Sequence, residues 1–295
     1  MPSLNYAAPT SIQEAVALLA GASGLAKPMS GGTDLLVQLR SGRLRPELIV
    51  DTKHIPGMKG ISGSAATGFT IGAATSGATM EAHAALKAAW PGVVEAMDLI
   101  GSEQIQGRAT LAGNLCNASP AADSVPAMVA AGAQAIIVGS KGERTVPVET
   151  IATGPGRISL AKDEFIRAIT LPARPARSAD AYLRFIPRTE MDIAVVGCGV
   201  NVTLDANGVC TAARVALGAV APTVLLVGDA AAALVGHGLD AATLAALDAA
   251  ARAACKPISD KRGTVEYRIK VAGVLARRAA AIAFERAKGG AVKGH

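Results

Sequence analysis

Near the start of the chain apolar residues fall at helical spacing. In Ser11-Ile-Gln-Glu-Ala-Val-Ala-Leu-Leu-Ala20, Ile12, Val16 and Leu19 share one stripe. Ser11 or Thr10 as N-cap, with Glu14 closing a capping box, predicts a helix that ends at Gly21. A second helix is expected over residues 35–39, and Leu48-Ile-Val-Asp51 reads as a short buried strand. Together these make a small α/β unit of about 55 residues. From Gly60 the period shortens. Gly68-Phe-Thr-Ile-Gly-Ala-Ala-Thr75 alternates apolar and polar positions between glycines and reads as a strand. Thr79 is expected to cap a helix through Leu86. Trp90-Pro-Gly is expected to open another running towards Ile100, with Trp90 as core or packing lid.

A helix from Asp123 or Ser124 through Ala131 comes next, followed by a hairpin of strands 135–138 and 144–148 around Ser140-Lys-Gly-Glu143. Residues 165–171 form a further strand closed by Pro172. Pro172-Ala-Arg-Pro-Ala-Arg177 lacks apolar periodicity and is the best linker in the chain. Beyond it, strands are predicted at 181–186, 194–204 and 211–217, with Asp205-Ala-Asn-Gly208 as a hairpin turn. Helices follow at 230–234, 241–255 and 264–286. This order fits a three-stranded antiparallel sheet covered by helices. The division is therefore 1–55, 56–175 and 176–290, in an α+β chain without internal repeats.

The candidate chemistry lies in two glycine-bearing segments about eighty residues apart, Ser30-Gly31-Gly32-Thr33-Asp34 and Thr110-Leu111-Ala112-Gly113-Asn114. Glycine accepts positive φ without steric cost and lets a ligand approach the main chain. Successive amides in such bends form a nest for phosphate oxygens, and the hydroxyls of Ser30, Thr33 and Thr110 add donors. Two such bends suit a diphosphate. Gly-Gly alone is chiefly a turn signal in a chain with 32 glycines. The second segment adds Asn114, Asn117, Ser119 and Asp123 to an otherwise apolar run, and buried polar groups need either their own backbone or a ligand as partner.

On Lys27-Pro-Met-Ser-Gly-Gly-Thr-Asp-Leu-Leu36, residues 110–123 and Arg188-Thr-Glu-Met-Asp-Ile-Ala-Val-Val196, the chain resembles the FAD-binding (medium) subunits of molybdenum hydroxylases, the carbon monoxide and xanthine dehydrogenase group. The resemblance implies a two-subdomain FAD-binding domain of the vanillyl-alcohol-oxidase (PCMH) type, followed by a C-terminal α+β domain. It places FAD against Lys27, Met29, Ser30, Gly31, Gly32, Thr33, Asp34 and Leu35, and against Thr110, Gly113, Asn114, Cys116, Asn117 and Asp123. Asp123 either accepts from a sugar or ribityl hydroxyl or caps the following helix. Ala112 stands where the family usually has glycine, which a negative φ would tolerate. Ile100, Gly101 and Ile166 align with residues flanking the flavin, though each also suits a core. Arg184 matches a basic position near the ring, where positive charge raises the reduction potential. Arg188 and Asp192 suit an ion pair at a domain seam. The resemblance further implies that molybdopterin and two-iron clusters sit on a large and a small partner subunit, in a dimer of heterotrimers. This chain would pass electrons to an external acceptor and would contain no catalytic acid, base or nucleophile.

Bulk properties narrow the rivals. At 295 residues, 51% hydrophobic and 18% charged, the chain is globular, and its 3% aromatic content leaves little to stack on nucleic-acid bases. The net charge of +6 is partly concentrated in Arg277, Arg278, Arg286, Lys288 and Lys293, which suits a solvated helix end better than a nucleic-acid or membrane surface. Cys116, Cys198, Cys210 and Cys255 show no Cys-x-x-Cys spacing, and His54, His83, His237 and His295 are scattered, so no metal site is expected. No apolar run reaches the roughly 20 residues of a membrane span, and Met1-Pro-Ser-Leu-Asn-Tyr6 resembles no leader. A cytoplasmic location is expected. Two alternatives remain open here: a stand-alone flavin oxidoreductase of the same fold, and a flavin-free binding or assembly protein.

Overall fold

The computed structural model describes residues 4–292, so Lys293 and His295 lie outside the described residues. The chain opens with β1 (Asn5–Ala7), α1 (Ile12–Gly21), β2 (Ala26–Met29), α2 (Thr33–Arg40) and β3 (Leu48–Asp51). The strands form a parallel sheet ordered β1-β3-β2, so each helix is a crossover. Ser11 Oγ accepts from Glu14 N at 3.1 Å, and Glu14 Oε2 accepts from Thr10 N at 2.9 Å, which fixes the start of α1 where the sequence pattern put it. Leu19 and Ala15 are the buried positions of that helix.

The middle of the chain runs β4 (Ile61–Ser64), β5 (Gly68–Gly72), α3 (Gly77–Glu81), α4 (Ala84–Ala89), α5 (Pro91–Asp98), α6 (Glu103–Gln106), α7 (Leu111–Asn117), α8 (Ser124–Ala131), β6 (Gln134–Gly139), β7 (Gly142–Pro147), β8 (Ala152–Gly154), β9 (Arg157–Ile158) and β10 (Phe165–Leu171). Five of these strands form an antiparallel sheet in the order β4-β5-β10-β6-β7. The helix expected from Thr79 to Leu86 is instead two helices. Ser76 caps α3, and the His83 side chain accepts from Leu86 N at 3.1 Å to cap α4, so Thr79 lies inside the first. The second glycine segment is likewise the first turn of α7 and not a loop.

The C-terminal part contains β11 (Ser178–Phe185), β12 (Val196–Leu204), β13 (Cys210–Gly218), β14 (Leu225–Leu226), α9 (Gly228–Ala232), α10 (Ala241–Ala254) and α11 (Val265–Ala287). Its antiparallel sheet has four strands where three were expected, because the two-residue β14 pairs with β13. A strand of two residues is too short to show alternation. The Asp205 turn is as predicted: Asp205 Oδ1 accepts from Asn207 N and Val209 N, and Gly208 takes φ +80°. Among the described residues no helix is long and apolar enough to cross a membrane.

The two halves meet along α8 and β11. Every residue of α8 is buried, as a helix apolar all round requires. It packs on the C-terminal sheet where Gly199 and Gly218 leave room: a Cβ at Gly199 would lie 2.6 Å from Pro126 O, and one at Gly218 2.7 Å from Pro126 Cγ. Alternate residues of β11 face the same way, and Asp180, Tyr182 and Arg184 all bond to the N-terminal half. Asp180 Oδ2 accepts from Val93 N at 3.1 Å, while Tyr182 and Arg184 both reach Asp123. Arg174, inside the segment read as a linker, is fixed rather than free. Its guanidinium pairs with Asp180 at 2.9 Å and lies 3.9 Å from the centre of the Trp90 ring. Trp90 is thus core, roofed by a cation.

Candidate functional site

The two glycine segments touch. Gly31 is buried, and a Cβ there would fall 2.0 Å from Arg108 O and 3.2 Å from Ala109 Cα, immediately before Thr110. Only hydrogen at this position permits the approach. Gly32 then takes φ +79° as the N-cap residue of α2 and offers no side chain to its first turn. The amides of Thr33, Asp34 and Leu35 are left without intrahelical acceptors. Behind them the preceding carbonyls are held by side chains: Met29 O accepts from Thr52 Oγ1 at 3.2 Å, Ser30 O from Lys53 Nζ at 3.2 Å, and Gly31 O from Arg108 Nε at 3.3 Å. Lys53 is anchored to Asp51 at 2.6 Å, and Asp51 also accepts from Tyr6 Oη at 2.6 Å. Burial pushes the Asp51 carboxyl up, but the Lys53 and Tyr6 hydrogen bonds outweigh it and hold the group below the usual range.

At the second segment Thr110 caps α7. Its Oγ1 accepts from Gly113 N at 3.0 Å and its carbonyl accepts from Asn114 N at 2.9 Å. The Thr110 hydroxyl keeps its proton for donation, while the Gly113 amide is used locally. Ala112 lies within α7 and is absent from the positive-φ residues, so its methyl fits as expected.

Both segments line one cavity of about 420 Å³, within the range of small-molecule sites. The predicted residues Lys27, Met29, Ser30 through Leu35, Ile100, Thr110, Gly113, Asn114, Cys116, Asn117 and Ile166 all line it; Gly101, Asp123 and Arg184 do not. Asn117 Oδ1 accepts from Gln38 Nε2 at 2.9 Å, and Asn114 Oδ1 accepts from Ser124 Oγ at 2.7 Å and Ser124 N at 3.3 Å. Their Nδ2 groups have no partner among the described residues. Desolvation raises the Asp34 carboxyl, and burial pushes the Cys116 thiol to about 12 against the pull of nearby Lys27, so this cysteine is a neutral thiol.

Asp123 departs from its capping reading. Its side chain makes no capping bond to α8; the amide of Ser124 is taken by Asn114 instead. The carboxylate accepts from Tyr182 Oη at 3.1 Å and pairs with Arg184 Nη1 at 2.9 Å, in the seam beside the cavity. Burial pushes it up to about 6, with Arg184 and Tyr182 opposing. Arg184 is therefore charge-compensated. The Arg188–Asp192 pair forms at 3.3 Å, but its third member is Arg262 at 3.1 Å, so the cluster lies within the C-terminal half rather than across a seam. Gly101 takes φ +65° with Ile105 packed against it, a turn role. The cavity extends past the expected residues to Gly24, Leu160, Lys162 and Phe165. Phe165 was legible only as a strand residue, and nothing in the pattern around Lys162 separates it from any exposed loop lysine.

Residues 2–174 match the family described as FAD binding domain in molybdopterin dehydrogenase, and residues 181–283 match the CO dehydrogenase flavoprotein C-terminal domain. The chain belongs to this flavoprotein family. It is 34% identical to the carbon monoxide dehydrogenase medium chain of Afipia carboxidovorans, over 97% of this chain and 98% of that one. It is 30% identical to the xanthine dehydrogenase FAD-binding subunit of Escherichia coli O157:H7, over 97% of each. Among solved structures, carbon monoxide dehydrogenase from Hydrogenophaga pseudoflava superposes with a TM-score of 0.91 at 32% identity, covering 97% of this chain and 99% of that one. The FAD-binding family and the mixed α+β fold are those implied by the resemblance carried on residues 27–36, 110–123 and 188–196.

Proposed function

We propose that this chain is the FAD-carrying electron-transfer subunit of a molybdenum-containing hydroxylase. The observation that carries this reading is the contact of Gly31 with Arg108 and Ala109, which makes two remote segments walls of one cavity. The residues fit the cofactor. The open amides of Thr33, Asp34 and Leu35, at the positive end of α2, bind diphosphate oxygens. The hydroxyls of Ser30, Thr33 and Thr110 and the Nδ2 groups of Asn114 and Asn117 add donors, and Lys27 adds a counter-charge. Ile100 and Ile166 exclude water with aliphatic surface. When bound, FAD supplies acceptance of electrons and their delivery to an external acceptor. Arg184, outside the cavity lining and paired with Asp123, would influence a bound ring only as part of that neutralised pair. Lys53, Thr52 and Arg108 fix the carbonyls so that the first bend is ordered before ligand arrives.

Molybdopterin and two-iron clusters belong, in this proposal, to a large and a small partner subunit, assembled as a dimer of heterotrimers in the cytoplasm. The free thiols at all four cysteines accord with a reducing compartment. We place the internal divisions near residues 55 and 175, between β3 and β4 and between β10 and β11. The test is purification of the chain with added FAD. A stoichiometric visible flavin absorption that is lost in Gly32→Val supports the reading, and a colourless wild-type protein contradicts it.

A further inference from the structure

We propose that Lys162 latches the cavity shut, so that FAD enters and leaves only when this one bond opens; the inference rests on the FAD-binding reading above. Every residue of β2 lines the cavity on one side, and Ile158, Leu160, Lys162 and Phe165 line it on the other. The two walls are joined at both ends of β2. At its C-terminal end Gly31 is wedged against the backbone of Arg108 and Ala109, and its carbonyl accepts from Arg108 Nε at 3.3 Å. Gln38 Nε2 donates to Asn117 Oδ1 at 2.9 Å between α2 and α7, the two helices that this wedge brings together. At the N-terminal end Lys162 Nζ donates to Ala22 O, the residue that ends α1. At about 3.3 Å per residue, the four residues of β2 span roughly 13 Å from the latch end to the wedge end.

The two junctions differ in kind. The wedge is backbone on backbone and cannot part without moving the start of α7. The latch is a side chain on a segment that is otherwise tied to its own side: Ser159 N donates to Ile151 O at 2.8 Å, Asp163 Oδ2 accepts from Ser140 N at 2.9 Å, and Glu164 pairs with Arg144 at 2.8 Å. Among the described residues, the hydrogen bond from residues 159–164 to the β1–β3 unit is that of the exposed lysine. A bond of this type biases an equilibrium by about two- to tenfold, and ordering a lysine side chain offsets part of that. It therefore opens without unfolding either wall. Opening precedes both uptake and release, so breaking the latch multiplies both rates by one factor and leaves the affinity unchanged. A lysine that instead held the cofactor directly would, when removed, weaken binding.

The test uses the chain with its native partners, purified through a tag on this chain, in wild type, in Lys162→Met and in Lys162→Arg. Methionine keeps an unbranched apolar stem without the donor, and arginine keeps a donor. FAD release on dilution and its uptake by flavin-stripped protein are followed by flavin fluorescence. The expected result is that Lys162→Met speeds release and uptake alike by about two- to tenfold, with the dissociation constant unchanged, and that Lys162→Arg stays near wild type. Wild-type release and uptake rates in Lys162→Met overturn the inference. Faster release with unchanged or slower uptake also overturns it, because Lys162 would then be an ordinary ligand contact. A wild-type complex that carries no flavin would overturn the FAD-binding reading and this inference together, an outcome distinct from the other two.

Discussion

At Gly31 the site is decided by one hydrogen atom. A methyl 2.0 Å from the Arg108 carbonyl has no flexible neighbour to displace, because both contacting atoms are backbone. Gly31→Ala is expected to cost at least about 2 kcal/mol and to abolish flavin retention, measured by urea unfolding and by flavin content; unchanged values would mean the two segments are not in contact. The glycine pair was legible as a bend, but which of the two is constrained by packing and which by φ was not, since the first depends on a residue 77 positions away. Asp98 gives a second test. Burial and nearby Glu81 push its carboxyl up to about 6, and its Oδ1 has no partner among the described residues. A folded-state value above the unfolded one means that stability falls as pH rises from about 4 through about 6 and stays low above. Asp98→Asn is expected to raise stability by ~1 kcal/mol at pH 7.5, after discounting for solvent screening, with no gain near pH 4. A gain independent of pH would assign the effect to something other than titration.

Among the elements, those with their signals inside a few residues were readable. Ser11 and Glu14 marked α1, Asp205 and Gly208 marked a hairpin, and Thr264 marked the start of α11, where its side chain accepts from Tyr267 N. Thr264→Ala is expected to cost about 1 kcal/mol with an unchanged denaturant m-value; a changed m-value would indicate that more than a helix end was lost. Elements whose ends depend on tertiary partners were misread. The break between α3 and α4 needs His83 as a cap, an uncommon residue for that role. The first turn of α7 looked like a glycine loop, because a capped helix start and a nest share the same residue types. Asp123 looked like a cap because it precedes a helix, yet Tyr182 and Arg184 from β11 compete for it and win. Two charged hydrogen bonds outweigh one cap.

Over the whole molecule the two halves are joined by buried polar groups as well as by the apolar packing of α8 on the C-terminal sheet. Arg286 reaches Glu95 and the Asp180 carbonyl at 2.8 Å, Arg174 reaches Asp180, and Arg184 reaches Asp123. Removing one partner of such a pair leaves a buried charge, typically at a cost of about 3–5 kcal/mol. Wild type is therefore expected to unfold in a single calorimetric transition, and Gly199→Val, which drives a side chain into α8, to split it in two; a split transition in wild type would contradict the stitched seam. None of this was visible along the chain, where residues 172–177 read as a linker. The central claim is that the first turns of α2 and α7 hold one dinucleotide between them, and a crystal structure with FAD tests it most directly. The account predicts diphosphate density within hydrogen-bonding distance of both the amides of Thr33–Leu35 and the Thr110 hydroxyl. Density beside only one of these segments, or elsewhere on the molecule, would contradict it.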